Sequence, residues 1–303
     1  MARTNVRASG IPCFAPLSPD FSWRREKIVS GRSRSLVQIA PGVLLRELAS
    51  QACGVQGMCT GLAVFSPAST LPYHRHDVSE AFTVLSGDAL AMVEGRTYRM
   101  GPLDCLHVPA GFAHSVINPS PKKKLMIHAA FGSVHPRRDF VKDSFLSVDR
   151  NMDRNTDRNY GLPDQNDPEH MVRSSTATRY KLANGTSFCD LFAGRFGSVG
   201  ICGGYGEFQP GTGLPCHLHD YDESITIIKG AATCEVMGAH YELSGYDTAM
   251  VPSGRPHRFL NESKDVMAMI WVYAGSEPQR TLVNARFCNG DWAWKGKASP
   301  SKA

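Results

Sequence analysis

Pro72-Tyr73-His74-Arg75-His76-Asp77-Val78-Ser79-Glu80 and Pro215-Cys216-His217-Leu218-His219-Asp220-Tyr221-Asp222-Glu223 share one His-x-His-x3-Glu frame, and its reading decides the fold. A third histidine follows each stretch, His114 in one case and His257 in the other. All four members shift by 143 residues (217 − 74, 219 − 76, 223 − 80, 257 − 114). With 11 histidines in 303 residues, three fixed positions are all His about once in 20,000 tries. Two such sets at one offset mark an internal duplication.

The same offset pairs Gly57 with Gly200, Cys59 with Cys202, Gly87 with Gly230, Tyr98 with Tyr241, Pro109 with Pro252 and Asn118 with Asn261. It then sets Gly132-Ser133 on Gly275-Ser276, an ungapped repeat of about 75 residues. In this alignment Trp271 and Tyr273 replace His128 and Ala130, Tyr205 replaces Leu62, and Arg255 and Arg258 replace Phe112 and Ser115.

Apolar residues at 42% and charged residues at 20% describe a globular chain with room for two domains. No run approaches the roughly 18–20 apolar residues of a membrane span, and the basic N-terminus lacks the apolar core of a signal peptide. A cytoplasmic protein without a membrane partner is expected. Nine cysteines without a Cys-x-x-Cys point to a reducing compartment and incidental thiols, with Cys216 packed away from the site. The net charge of +5 is modest; Lys122 to Lys124 and Arg137-Arg138 read as solvated loop charges, which excludes nucleic acid as a partner.

The expected organisation is an N-terminal arm (1–36), a first barrel (37–141), a polar linker (142–177), a second barrel (178–290) and a disordered tail (291–303). Short runs such as Ala81 to Leu85, Ala89 to Val93 and Ser224 to Ile228, each closed by Gly, indicate an all-β fold. A short helix near Pro41 to Gln51 is the one exception expected. His107, His128 and His240 read as core residues, His135 and His170 as loop residues.

A His-x-His pair on a strand places both imidazoles on one face, roughly 6–7 Å apart. Glu80 and Glu223 return to that face four residues later, and the Pro-x-Gly-x2-His turns ending at His114 and His257 bring a third ring opposite. Three imidazoles and a carboxylate suit Fe(II), Mn, Ni, Cu or Zn, one divalent ion per barrel, with Fe(II) favoured. Tyr205, Arg255, Arg258 and Tyr273 are the candidate catalytic residues, the arginines to hold a carboxylate and the tyrosines to move a proton. Their clustering in one copy places catalysis in the second barrel.

The segments from Gly211 through His217, His219 and Glu223 to Gly230, and from Gly245 through Pro252, Gly254 and His257 to Asn261, resemble the two signature motifs of the cupin superfamily. The first copy matches with Ala68 for the leading glycine. With both copies the chain resembles a bicupin, the architecture of quercetin dioxygenases and oxalate decarboxylases. The resemblance implies two antiparallel jelly-roll barrels in tandem, each enclosing a metal. An isologous homodimer is the expected assembly.

Three functions remain open. The leading one is an Fe(II)-dependent dioxygenase that takes O2 and a chelating dicarbonyl, enol, phenol or organic acid. The second is a redox-neutral decarboxylase, isomerase or lyase of a hydroxy- or keto-acid, and the third a non-enzymatic metal- or ligand-binding sensor.

Overall fold

A computed structural model describes residues 24–31, 33–149 and 167–290. Most of the expected arm, the middle of the polar linker and the expected tail lie outside the described residues. Within them the chain is strand and turn, with three short 3-10 segments at Gln51–Cys53, Gly194–Phe196 and Ala285–Phe287. The helix expected near Pro41 to Gln51 is instead the strand Val43–Glu47. Its apolar run pairs on both edges, with Val37–Ala40 and Cys59–Phe65, and that tertiary pairing overrides local propensity.

The two copies form tandem jelly-roll barrels, each built from two facing sheets. In the first, a seven-stranded sheet holds Cys59–Phe65, Leu125–Phe131 and Glu80–Ser86 at its centre; a six-stranded sheet holds Thr70–His76, His114–Ile117 and Ala89–Val93. The second repeats the plan with Cys202–Phe208, Met267–Tyr273 and Glu223–Lys229 on one sheet and His217–Leu218, His257–Asn261 and Ala231–Val236 on the other. Pairings are antiparallel, except that Val148–Asp149 runs parallel to Arg96–Met100.

Alternation explains why the central strands read as almost continuous apolar runs. Phe82 and Val84, on the side of Glu80, enter the first barrel's core, as Ile225 and Ile227, on the side of Glu223, enter the second's. The intervening residues face the other barrel. There Met58, Ala81 and Ala130 meet Leu191, Ile201, Tyr205, Ile270 and Val272 in a shared cluster. Each of the large aliphatic side chains buried there contributes roughly 1.5–3 kcal/mol. An ion pair reinforces the seam: Arg24 holds Asp222, which also accepts from the backbone N–H of Gln56 (2.8 Å) and of Ser253 (3.0 Å).

Two strands cross over between the barrels. Lys27–Val29, which precedes the first barrel, pairs with Thr248–Val251 of the second. His170–Val172, from the stretch expected as linker, pairs with Cys105–Val108 of the first. His170 therefore lies on a strand, stacked on Phe196 at 4.5 Å, rather than in a loop. His107 and His128 are buried, but His240 is exposed on an outer strand.

The strand register corrects the constant offset. Phe131 lies opposite Cys59 and Glu80, and Tyr273 lies opposite Cys202 and Glu223. The counterpart of Tyr273 is therefore Phe131 (273 − 131 = 142) and that of Trp271 is Ala129, not Ala130 and His128. The cause is a loop: seven positions separate Asn118 from Leu125, but six separate Asn261 from Met267 (125 − 118 against 267 − 261). Beyond that loop the match of Gly132-Ser133 with Gly275-Ser276 is one of letters, not of position.

Candidate metal centres

In the first barrel His74 and His76 close the strand Thr70–His76, Glu80 opens Glu80–Ser86, and His114 opens His114–Ile117 directly opposite His74. The second repeats this with His217, His219, Glu223 and His257, and His217 pairs with His257. All eight side chains are buried, and each set offers ligand atoms within 4.8 Å of one another.

The backbone fixes which nitrogen each ring presents. Nδ1 of His74, His114, His217 and His257 lies 2.8, 3.1, 2.9 and 2.8 Å from the carbonyl oxygen two residues earlier, on Pro72, Phe112, Pro215 and Arg255. His76 and His219 turn Nδ1 to the carbonyls of Arg137 and Gln279. A carbonyl only accepts, so Nδ1 carries the proton and Nε2 is left as a lone-pair donor facing the centre. Nε2 of His74, His76, His219 and His257 is buried there without a hydrogen-bond partner. Buried, unpartnered acceptors converging beside a carboxylate fit a divalent metal ion, which would be held by these four residues in each barrel.

Burial favours the neutral form of His74, His76 and His217. Burial, then the neighbouring His114, pushes His74 down to about 3, and burial lowers His217 well below its ordinary value. Burial alone would raise Glu80 and Glu223, but the surrounding histidines outweigh it and hold both below the usual carboxylate range. Glu80 Oε2 lies 2.7 Å from His114 Nε2, and Glu223 Oε2 lies 2.6 Å from His257 Nε2.

The four candidate catalytic residues separate. Tyr273 faces into the second barrel, with its ring 4.4 Å from that of His219. Burial, then the Glu223 carboxylate, pushes its phenol well above the ordinary range, so it stays protonated. Tyr205 does not reach the centre: strand alternation turns it into the seam between the barrels, where its hydroxyl donates to Glu207 at 2.9 Å. Arg255 is engaged by Glu26 at 2.5 Å, and Arg258 by Glu235 at 2.5 Å and Asn289 at 3.1 Å. Neither guanidinium is free for a substrate, because each is neutralised by a nearly buried carboxylate. Asp222 points outward, as alternation requires.

Two arginines that the sequence reading passed over do reach the centres. Arg138, read as a loop charge, lies on the strand Arg138–Phe140 directly opposite His76, and Phe140 lies opposite His74. Arg280 immediately precedes Thr281–Leu282, whose register places Thr281 opposite Leu218 and so Arg280 beside His219. The signal was available as Pro136-x-Arg138 against Pro278-x-Arg280, but at an offset of 142. Cys59 and Cys202, opposite Phe131 and Tyr273, also face the centres. Burial, then Glu47 and Glu80, pushes the Cys59 thiol up to about 12, so in the metal-free protein it stays protonated at neutral pH.

The two centres differ in access. A cavity of about 370 Å³ opens at the first, lined by Glu47, Cys59, Gly61, His76, Phe131 and Arg138 among others. At the second, Tyr273 packs between Tyr221 and Trp271, with ring centroids 5.1 and 4.8 Å away. Cys216, beside His217, is disulfide-bonded to Cys288. The expectation of incidental thiols therefore fails at this pair, which the fold brings together from 72 residues apart.

Comparison with known proteins agrees with the tandem-barrel fold. The cupin domain family matches twice, over residues 61–130 and 204–273. Quercetin 2,3-dioxygenase of Bacillus subtilis (strain 168) is 29% identical over 126 residues, a match spanning 39% of this chain but only 34% of that protein. Among solved structures, oxalate decarboxylase of Lactobacillus farciminis in its formate complex superposes with a TM-score of 0.68 at 13% identity, covering 84% of this chain and 88% of that one. Oxalate decarboxylase of Bacillus subtilis at pH 4.6 gives 0.66 at 13% identity, with 84% and 78% covered.

Proposed function

We propose that this chain, which the cupin domain family matches over residues 61–130 and 204–273, is a two-domain cupin and a metal-dependent enzyme of small-molecule metabolism. Its reaction is that of an Fe(II)-dependent dioxygenase on a chelating dicarbonyl, enol, phenolic or organic-acid substrate. We assign it to the first barrel rather than to the second expected from sequence, because Tyr205, Arg255 and Arg258 are engaged away from the second centre while a cavity opens at the first. One observation carries this reading: three backbone-locked imidazoles and a carboxylate converge beside a substrate-sized cavity at that centre.

His74, His76, His114 and Glu80 would hold a divalent metal ion, which as Fe(II) would supply the electrons that dioxygen chemistry requires. The remaining work belongs to the chain. His74, His76, His114 and Glu80 hold their atoms preorganised, because each ring is anchored through Nδ1 before anything binds. The Phe131 ring, 5.0 Å from His76, forms an apolar wall that excludes water from the bound substrate.

A redox-neutral decarboxylase or lyase is the second reading, favoured by the Arg138 guanidinium, which suits a carboxylate substrate. Oxygen uptake separates the two. Turnover of keto-acids, hydroxy-acids or diphenols with stoichiometric O2 consumption supports the dioxygenase; turnover without uptake removes it. His76→Ala should abolish activity, while His219→Ala should retain a measurable part, and equal loss would refute the choice of barrel.

A further inference from the structure

The duplication supplies an internal comparison. Each barrel sets an arginine beside its second histidine ligand, Arg138 at His76 and Arg280 at His219. In the second barrel the guanidinium has a partner within the barrel: Nη2 of Arg280 donates to the Tyr273 hydroxyl at 3.5 Å. In the first barrel the residue at that place is Phe131, which keeps the ring and lacks the oxygen. Arg138 consequently has no hydrogen-bond or ion-pair partner among the described residues, and its Nε is buried. The nearby carboxylates do not take it up. Asp139 is held by Arg137 at 2.8 Å, and Glu47 sits exposed across the cavity. A buried, unpaired guanidinium N–H is costly and calls for an acceptor.

We infer that Arg138 is an anion-binding residue of the first barrel, and that the substrate delivers to it the oxygen which Tyr273 provides to Arg280 in the second. This rests on the proposed first-barrel reaction and names the substrate class. Charge sets that class: three neutral imidazoles, one carboxylate and a divalent ion sum to +1, and Arg138 raises the total to +2 (2 − 1 + 1). A chelating mono- or dianion matches it. Shape narrows the class further. Phe131 beside His76 and Phe140 opposite His74 line the approach with rings, and Ala129 stands where the second barrel is filled by Trp271. The ligand is a planar acid, an aromatic or enolic carboxylate with a neighbouring hydroxyl or carbonyl oxygen for the metal.

Titration calorimetry with salicylate, an aromatic carboxylate bearing a chelating hydroxyl, and its neutral amide salicylamide tests this. The titrations are run on the metal-loaded protein, with metal content measured for every variant. The wild-type protein should prefer salicylate. Arg138→Gln should weaken salicylate at least about tenfold, as loss of a charge-assisted hydrogen bond does, and leave salicylamide unchanged. Phe131→Tyr, which restores the second barrel's hydroxyl, should also weaken salicylate with both metals retained, whereas Arg280→Gln should not. Equal salicylate affinity in wild type and Arg138→Gln, equal losses for the two probes, or no wild-type preference for salicylate overturns the inference. Arg138-dependent binding without turnover of any substrate would remove the catalytic reading and leave the subsite. Oxygen-consuming turnover that is indifferent to Arg138→Gln would do the reverse.

Discussion

Consider the metal-free protein taken from about pH 7.5 to about pH 5. His74 titrates near 6.5 in an unfolded chain but is pushed down to about 3 in the folded one by burial and by His114. Between those values the unfolded state binds the extra proton, so stability rises with pH there: it is fully present above 6.5 and is lost as pH falls toward 3. At pH 5 the unfolded imidazole is almost wholly protonated and the folded one is not. The pH lies about 1.5 units below the unfolded value, which at 1.36 kcal/mol per unit amounts to about 2 kcal/mol from His74 alone. His76 and His217 shift in the same direction, and His107 and His128, each pushed down to about 4 by burial, add to the loss. Glu80, held below its ordinary value, contributes stability present above about 4.5 and lost only at lower pH, so it takes little part in this window. Urea unfolding followed by tryptophan fluorescence and far-ultraviolet circular dichroism should show the metal-free protein losing at least about 2 kcal/mol at pH 5. A stability that is flat or rises on acidification would mean that the imidazoles are not buried in neutral form, and the reasoning about the centres would fall with it.

Three further outcomes are expected. Metal analysis of the native protein should give two transition-metal ions per chain, one for each ligand set, and natively folded protein that takes up none would refute both centres. Gly204→Ala should cost about 3 kcal/mol and lower the melting temperature, because a Cβ there would stand 2.1 Å from the Cys189 carbonyl oxygen and 2.6 Å from the Trp271 ring; an unchanged melting curve would show that the strand has room to move. Cys216→Ser should cost about 4 kcal/mol, the chain-entropy value for a loop spanning 72 residues, measured by denaturant unfolding against the oxidised wild type.

The ligands were legible because metal chemistry restricts both residue type and spacing: His-x-His on a strand and a carboxylate four residues on have few structural readings. The barrels followed from the same strands. What surrounds the metals was not legible, for two physical reasons. Side chains next to a ligand in sequence are sent elsewhere by partners far away: Arg255 is taken by Glu26 and Arg258 by Glu235, pairings that nothing local encodes. A single residue's difference in the loop after Asn118 then displaced the copies, so Tyr273 was compared with Ala130 instead of Phe131, and the Arg138–Arg280 correspondence was hidden. The outward turn of Tyr205 could have been read, since Gly204 and Gly206 alternate with it on the opposite face and leave the barrel interior to Trp271 and Phe188.

The reciprocal strand crossing bears on how this protein can be divided. A protease cut between residues 150 and 166 would leave the two fragments clasped, each still supplying a strand to the other's sheet. Either half produced alone would lack its borrowed strand and expose a bare sheet edge, at Thr248–Val251 in one and at Cys105–Val108 in the other. Such halves would be recruited into swapped oligomers or aggregates, while co-expressed halves would reassemble. The duplicated units have thus become obligate companions, and engineering one barrel in isolation requires grafting the partner's strand onto it first.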